Sequence, residues 1–533
     1  MARLAVPVVA VVAFLALTAG NARAAEFPVI VVPGLELSDL PELEDEGALG
    51  LLVPNAGPET SLELARTGLV RGQPAHSLRE EPPAGAPALT LRRGTLGSAR
   101  GPAIYLGLPE AEPQANRRRY PIVVVGRGYT GVLTSESTRL PGLVSAADVM
   151  PTALAQEETL GHEPREDAAS SLLALERRIE RNADVRRAAS LVVCLLVVAL
   201  ALVFPPAAVG AIASALVANL ALGIAGVSAP WAVLVALALA VLLGGPLLAF
   251  AWSDSFLLGL GLCSVVTGYL LALGLDGETV ALSPLGPSQN ARFYGLSNLL
   301  ETLLLVPAFG AAALVAARFG WPAFAGVAAL AFVTVADNRL GADGGGAVVL
   351  AVGFAVLGVL LAGAGRRVLA VAVGAGLAVV LALVALDAAT GVSSHVTRAL
   401  AGGPSGLAAD LHDRVVLSWE RATDTWYAAL GVTVLLLLLA VLVARTLATR
   451  GIAPATAVPL AVAAALAASL VVNDSPVDVP LAGLAAYAAT DLGMLPARWP
   501  GSFDSRSARS FSLWPSRPPG AAAARRSRLR PRP

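Results

Sequence analysis

The run Ala188-Ala189-Ser190-Leu191-Val192-Val193-Cys194-Leu195-Leu196-Val197-Val198-Ala199-Leu200-Ala201-Leu202-Val203-Phe204 decides the architecture. It carries no charge, and a spanning helix needs about 20 mostly apolar residues because hydrocarbon cannot satisfy a backbone. Working outward, similar runs follow at 207–226, 229–251, 255–274, 296–316, 320–336, 345–364, 368–386, 427–444 and 455–472. A weaker, interrupted segment lies at 479–494. The expectation is an all-α polytopic transmembrane bundle of about 10–11 helices over 188–494.

Composition agrees with this. Hydrophobic residues make up 56% of the chain and charged ones 14%, and the mean hydropathy is +0.70. Soluble domains sit well below this. Basic and acidic residues balance at 38 each, which argues against a nucleic-acid partner. Every basic residue is Arg apart from the His. Both cysteines, Cys194 and Cys263, fall inside apolar runs, so the polar N-terminal part has no disulfide.

Ahead of the apolar block, Arg3, the run Leu4 to Leu17 and Ala22-Arg23-Ala24 form a basic, apolar and small-residue series. That series reads as a signal peptide over 1–25, with an uncleaved anchor as the alternative. Residues 26–165 are rich in Pro, Gly and charge, with short β-branched runs at Pro28–Val32 and Pro121–Val125. Continuous apolar strands suggest a parallel sheet covered on both faces, hence an exported α/β domain. Helices are expected at Thr60–Leu69 and Ala146–Gln156. Residues 166–187 carry mixed charges at helical spacing and read as a helical stalk running into the first span, with a solvated helix laced by weak ion pairs as the alternative. The Arg- and Pro-rich tail, 495–533, has nine arginines after Ala497 and reads as disordered and solvated.

Three motifs in the polar domain carry a resemblance. They are Val29-Ile30-Val31-Val32-Pro33-Gly34-Leu35, Gly57-Pro58-Glu59-Thr60-Ser61 and the stretch Thr138–Thr152, in which Asp148, Pro151 and Thr152 form Asp-x-x-Pro-Thr. This pattern resembles a reduced alkaline-phosphatase-like domain, as carried by uncharacterised bacterial membrane proteins ahead of a multi-helix bundle. Asn290–Asn298 and Leu340–Gly346 in the apolar block look like the same group. The resemblance implies a phosphate-ester theme, with a Ser or Thr nucleophile and one or two divalent metals on Asp and His.

The departures weigh against catalysis. The first strand runs into Pro33-Gly34 where the resemblance implies a metal-binding Asp, and Ile122–Val125 runs into Gly126-Arg127-Gly128. His76 and His162 have no neighbour at ligand spacing. Thr60 and Ser61 are the candidate nucleophiles and Asp148 the candidate acid, but a hydroxyl needs an activating base or metal. The competing structural reading makes Thr60 or Ser61 a helix cap and Asp148 a helix-start residue. No cofactor is expected, and a divalent metal only if this domain is active.

Alternate crossings from an exported start put Arg318, Arg366-Arg367 and Arg445–Arg450 inside, as the positive-inside rule asks. Non-basic polar loops then emerge together on the outer face. They contribute an expected polar cluster of Arg292, Asn298, Glu301, Asp337, Arg339, Asp343 and Asp474. A carboxylate at the depth of Glu301 needs a partner, and Arg292 is the natural one. The structural alternative is ordinary helix capping and ion pairing at the membrane surface.

The reading is a multi-pass cell-membrane protein with an extracytoplasmic N-terminal domain and a cytoplasmic tail. Its partners would be the lipid bilayer and a lipid-linked or envelope component. A non-catalytic phosphatase-like domain in recognition or assembly stands first. A membrane hydrolase or transferase on lipid-linked phosphate, and a transporter with an accessory domain, are the alternatives.

Overall fold

The computed structural model describes residues 27–55, 59–71, 91–98, 101–154, 158–251, 254–287, 293–337, 339–341, 344–363, 425–451, 456–472 and 478–494, with 416, 419 and 423 singly. The signal segment, the 368–386 run and the tail lie outside the described residues. Two compact units emerge, one running to Glu180 and the other beginning at Arg181.

The first unit is a sheet domain. Its strands are β1 (Val29–Val31), β2 (Gly47–Val53), β3 (Glu59–Thr60), β4 (Leu91–Arg93), β5 (Ala103–Leu106), β6 (Gln114–Ala115), β7 (Tyr120–Val125), β8 (Val132–Ser135), β9 (Leu143–Ser145) and β10 (Leu160–Glu163). Helices α1 (Leu62–Arg71) and α2 (Ala146–Ala153) pack together, and a 3-10 turn spans Leu37–Leu43. The eight-stranded sheet has the order β10-β8-β2-β7-β5-β1-β4, with β9 also on β2. A separate pair joins β3 to β6.

The sheet is mixed rather than parallel. β1 runs parallel to β4 and β5, and β2 parallel to β8 and β9. β7 lies antiparallel to both β2 and β5. All seven residues of β2 and the middle four of β7 are buried. Continuous apolar runs therefore report burial of both faces and say nothing of strand direction, which is why the parallel expectation failed. The first expected helix starts at Leu62 because Thr60 belongs to β3 and Ser61 caps the helix.

Helix α3 (Ala168–Val203) is continuous through the expected stalk and the first apolar run, and the unit boundary falls within it. Its charged part is not a uniformly solvated face. Glu176 is buried with Leu172 and Ile179, and its carboxylate takes the Arg119 Nε at 2.6 Å and the Arg119 backbone N–H at 3.3 Å. A charge placed in the middle of an apolar stripe at helical spacing is buried with that stripe.

The second unit is helical: α4 (Pro205–Ile224), α5 (Pro230–Ala251), α6 (Ser255–Leu275), α7 (Gly277–Ala281), α8 (Asn298–Phe319), α9 (Trp321–Ala336), α10 (Gly344–Leu361), α11 (Trp426–Arg450), α12 (Ala457–Val472) and α13 (Asp478–Gly493). Proline in the first turn of α4, α5 and α9 starts each helix where its missing N–H is harmless. Six described helices are long and apolar enough to cross a membrane, and Trp321–Ala336, Gly345–Leu361 and Ala457–Leu470 are shorter apolar helices. The chain is thus compatible with an integral membrane protein.

At the centre lies α8, apolar nearly all round and buried throughout Leu299–Ala316, with α4, α6, α9, α10, α12 and α13 packed about it. By contrast α11 leaves Leu430, Leu437 and Val441 exposed, an apolar surface suited to lipid. One turn of α5, Ala240–Gly244, is a π-helix.

Candidate functional site

The sheet unit contains the residues singled out as a possible hydrolytic centre. β2 and β9 run side by side and parallel, with Val53 opposite Ser145. Their carboxyl ends lead toward α1 and α2. Ser61 accepts the Leu64 N–H at 3.2 Å, a helix cap, and is buried. Thr60 is buried beside it, and its hydroxyl has no hydrogen-bond partner among the described residues.

Asp148 sits in the first turn of α2, whose own cap is Ser145. Its carboxylate is a hub: Oδ2 accepts from the Ser135 hydroxyl and from the Ser137 N–H at 2.9 Å, while Oδ1 accepts from the Ser137 hydroxyl at 2.6 Å. The Ser135 hydroxyl also accepts the Ser145 N–H at 3.2 Å. Asp148 thereby ties the end of β8 and the turn after it to the start of α2.

These residues do not fit a divalent metal. Both Asp148 oxygens accept from internal donors, and the Ser61 oxygen accepts from its own helix. Among the described residues no three His, Cys, Asp or Glu gather into a ligand set. His162 stacks obliquely against Tyr129 at 4.9 Å between centroids, and His76 lies outside the described residues. Asp39 joins a capping box with Glu36 at the start of the 3-10 turn, its Oδ2 accepting the Glu36 N–H at 2.9 Å.

The helical unit holds the second candidate set. Asn298 and Glu301 share the first turn of α8, behind the cap Ser297, whose hydroxyl accepts the Leu300 N–H at 3.2 Å. Glu301 is only 1% exposed. A Cβ added at Gly346, in the first turns of α10, would lie 3.1 Å from the Glu301 Cδ and Oε1. Glycine there makes room for a carboxyl group. The loop before α8 meets the turn after α9, since the Leu296 N–H donates to the Gly341 carbonyl at 3.0 Å. A Cβ on Gly341 would in turn clash with the Thr334 and Val335 carbonyls at 2.3 Å.

Two of the expected polar loops thus converge around Glu301. Asp337 instead closes its own turn, accepting the Arg339 N–H at 2.8 Å, and Arg339 is exposed. Arg292, Asp343 and Asp474 lie outside the described residues.

Sequence reasoning missed a polar centre beside this one. The non-helical segment Leu282–Pro287 is buried, and side chains satisfy its backbone. Asn182 donates to the Leu282 carbonyl at 2.7 Å, Ser297 to the Leu285 carbonyl at 2.7 Å, and Arg186 to the Gly286 carbonyl. Asn219 accepts the Leu285 N–H at 3.0 Å and donates to the Ser283 hydroxyl at 2.9 Å and the Tyr269 hydroxyl at 3.2 Å. Such a segment is tolerated at membrane depth only where protein or water satisfies it. The available signal was a lone amide, Asn219, in the middle of an otherwise apolar run.

A further network joins α11 to α13. Arg450 pairs with Asp491, Thr446 donates to Asp491 at 2.8 Å, and the Tyr487 hydroxyl donates to Thr446 at 2.8 Å. Compared with protein-family models, with curated proteins and with solved structures, the chain finds no match, so its own residues carry the functional case.

Proposed function

We propose that this chain is an integral membrane protein of the cell envelope whose sheet unit is an exported, phosphatase-like scaffold without hydrolytic activity, acting in recognition or assembly. The observation that carries the reading is the use made of Asp148 and Ser61. A catalytic carboxylate and nucleophile must present lone pairs to a metal or substrate. Here Ser135 and Ser137 place three donors on the carboxylate, and the helix N-terminus places the Leu64 N–H on the Ser61 hydroxyl, so both groups serve the local fold. The phosphatase-like kinship rests on the sequence motifs alone.

The test uses the full-length protein in lipid nanodiscs with zinc or manganese and phosphate mono- and diesters. No metal-dependent turnover is expected. Turnover that Thr60→Ala or Ser61→Ala abolishes would overturn the reading.

A further inference from the structure

In the apolar helices of the second unit, hydroxyl side chains are normally returned to their own helix. Ser264, Thr267, Thr334 and Thr433 each donate to the carbonyl four residues earlier, at 2.7 to 3.0 Å. Ser190 of α3 departs from this pattern. It is 5% exposed, and its hydroxyl has no hydrogen-bond partner among the described residues. The same holds for Asn182 Oδ1 on the same helix, 1% exposed, although its Nδ2 is bound to the Leu282 carbonyl.

Asn182, Arg186 and Ser190 recur every four residues, which places them along one side of α3 over about 12 Å. Arg186 also reaches the buried segment, donating to the Gly286 carbonyl. The seam therefore runs down α3 from a stretch of non-helical backbone that Asn219 binds from another helix.

A buried polar atom left unsatisfied in an apolar bundle is destabilising, and Ser190 could avoid that by rotating onto its own helix. We propose that the Asn182–Arg186–Ser190 seam is a water-binding site inside the membrane unit. Asn182 Oδ1 and the Ser190 hydroxyl each hold an ordered water there. A buried water needs about two to four polar partners, and Asn182 Oδ1 and Ser190 Oγ each offer it one open position. The seam makes α3 and Leu282–Pro287 a hydrated part of the bundle.

The test turns on a sign. Ser190→Ala removes only one oxygen, and the full-length chain in nanodiscs is melted with and without it. If Ser190 holds water, alanine strands that water against apolar neighbours and the Tm falls, by about 2 °C or more. If the hydroxyl is dry, alanine relieves a buried polar group and the Tm is unchanged or rises, which overturns the proposal. A structure of the full chain in lipid gives an independent reading: solvent density within hydrogen-bonding distance of Asn182 Oδ1 and Ser190 Oγ supports it, and apolar contact at both atoms overturns it.

Discussion

Glu176 shows how one buried charge makes a domain sensitive to pH. Burial pushes its carboxyl above the ordinary range, and Arg119 draws it part of the way back. Between the ordinary value and the raised one, the folded unit holds a proton that the unfolded chain has released. The stability this contributes is fully present below the ordinary value and is lost as pH rises through the raised one. Hydrogen exchange of β7 and the start of α3, followed against pH, should show protection falling across that window. In Glu176→Gln the fall should be smaller, because the titrating group is gone; an identical slope would show that another group sets it. Neither the pair nor the Asp148 hub was legible in the sequence. Arg119 and Glu176 are 57 positions apart, and Ser135 reaches Asp148 only because β8 and β9 both pair with β2.

At the scale of the element, the helices were largely legible because the bilayer fixes their length and proline marks their starts. Ser61 was legible as a cap because capping is local, needing only a hydroxyl ahead of a helical run. The sheet's strand directions and the buried Leu282–Pro287 segment were not, since both depend on partners far along the chain. The cap can be separated from a nucleophile by substitution. Ser61→Ala should cost about 1 kcal/mol, read as lowered hydrogen-exchange protection in α1. Ser61→Asp should restore most of it, because a carboxylate caps a helix as well as a hydroxyl does. Loss with Ser61→Asp equal to that with Ser61→Ala would remove the capping account.

For the whole molecule, the claim is an exported sheet unit carried by a membrane bundle. Its basis is the run of apolar helices together with the placement of arginines at alternate connectors, Arg318 and Arg445–Arg450 among them. The most direct measurement is labelling of single cysteines in intact cells by a membrane-impermeant thiol reagent, in a chain carrying Cys194→Ala and Cys263→Ala. Ser38, Arg339, Arg318 and Thr449 are all exposed positions and suit the probe. Ser38→Cys and Arg339→Cys should react from outside, while Arg318→Cys and Thr449→Cys should react only after the membrane is permeabilised. Reaction of Thr449→Cys in intact cells, or silence of Ser38→Cys until permeabilisation, would contradict the account.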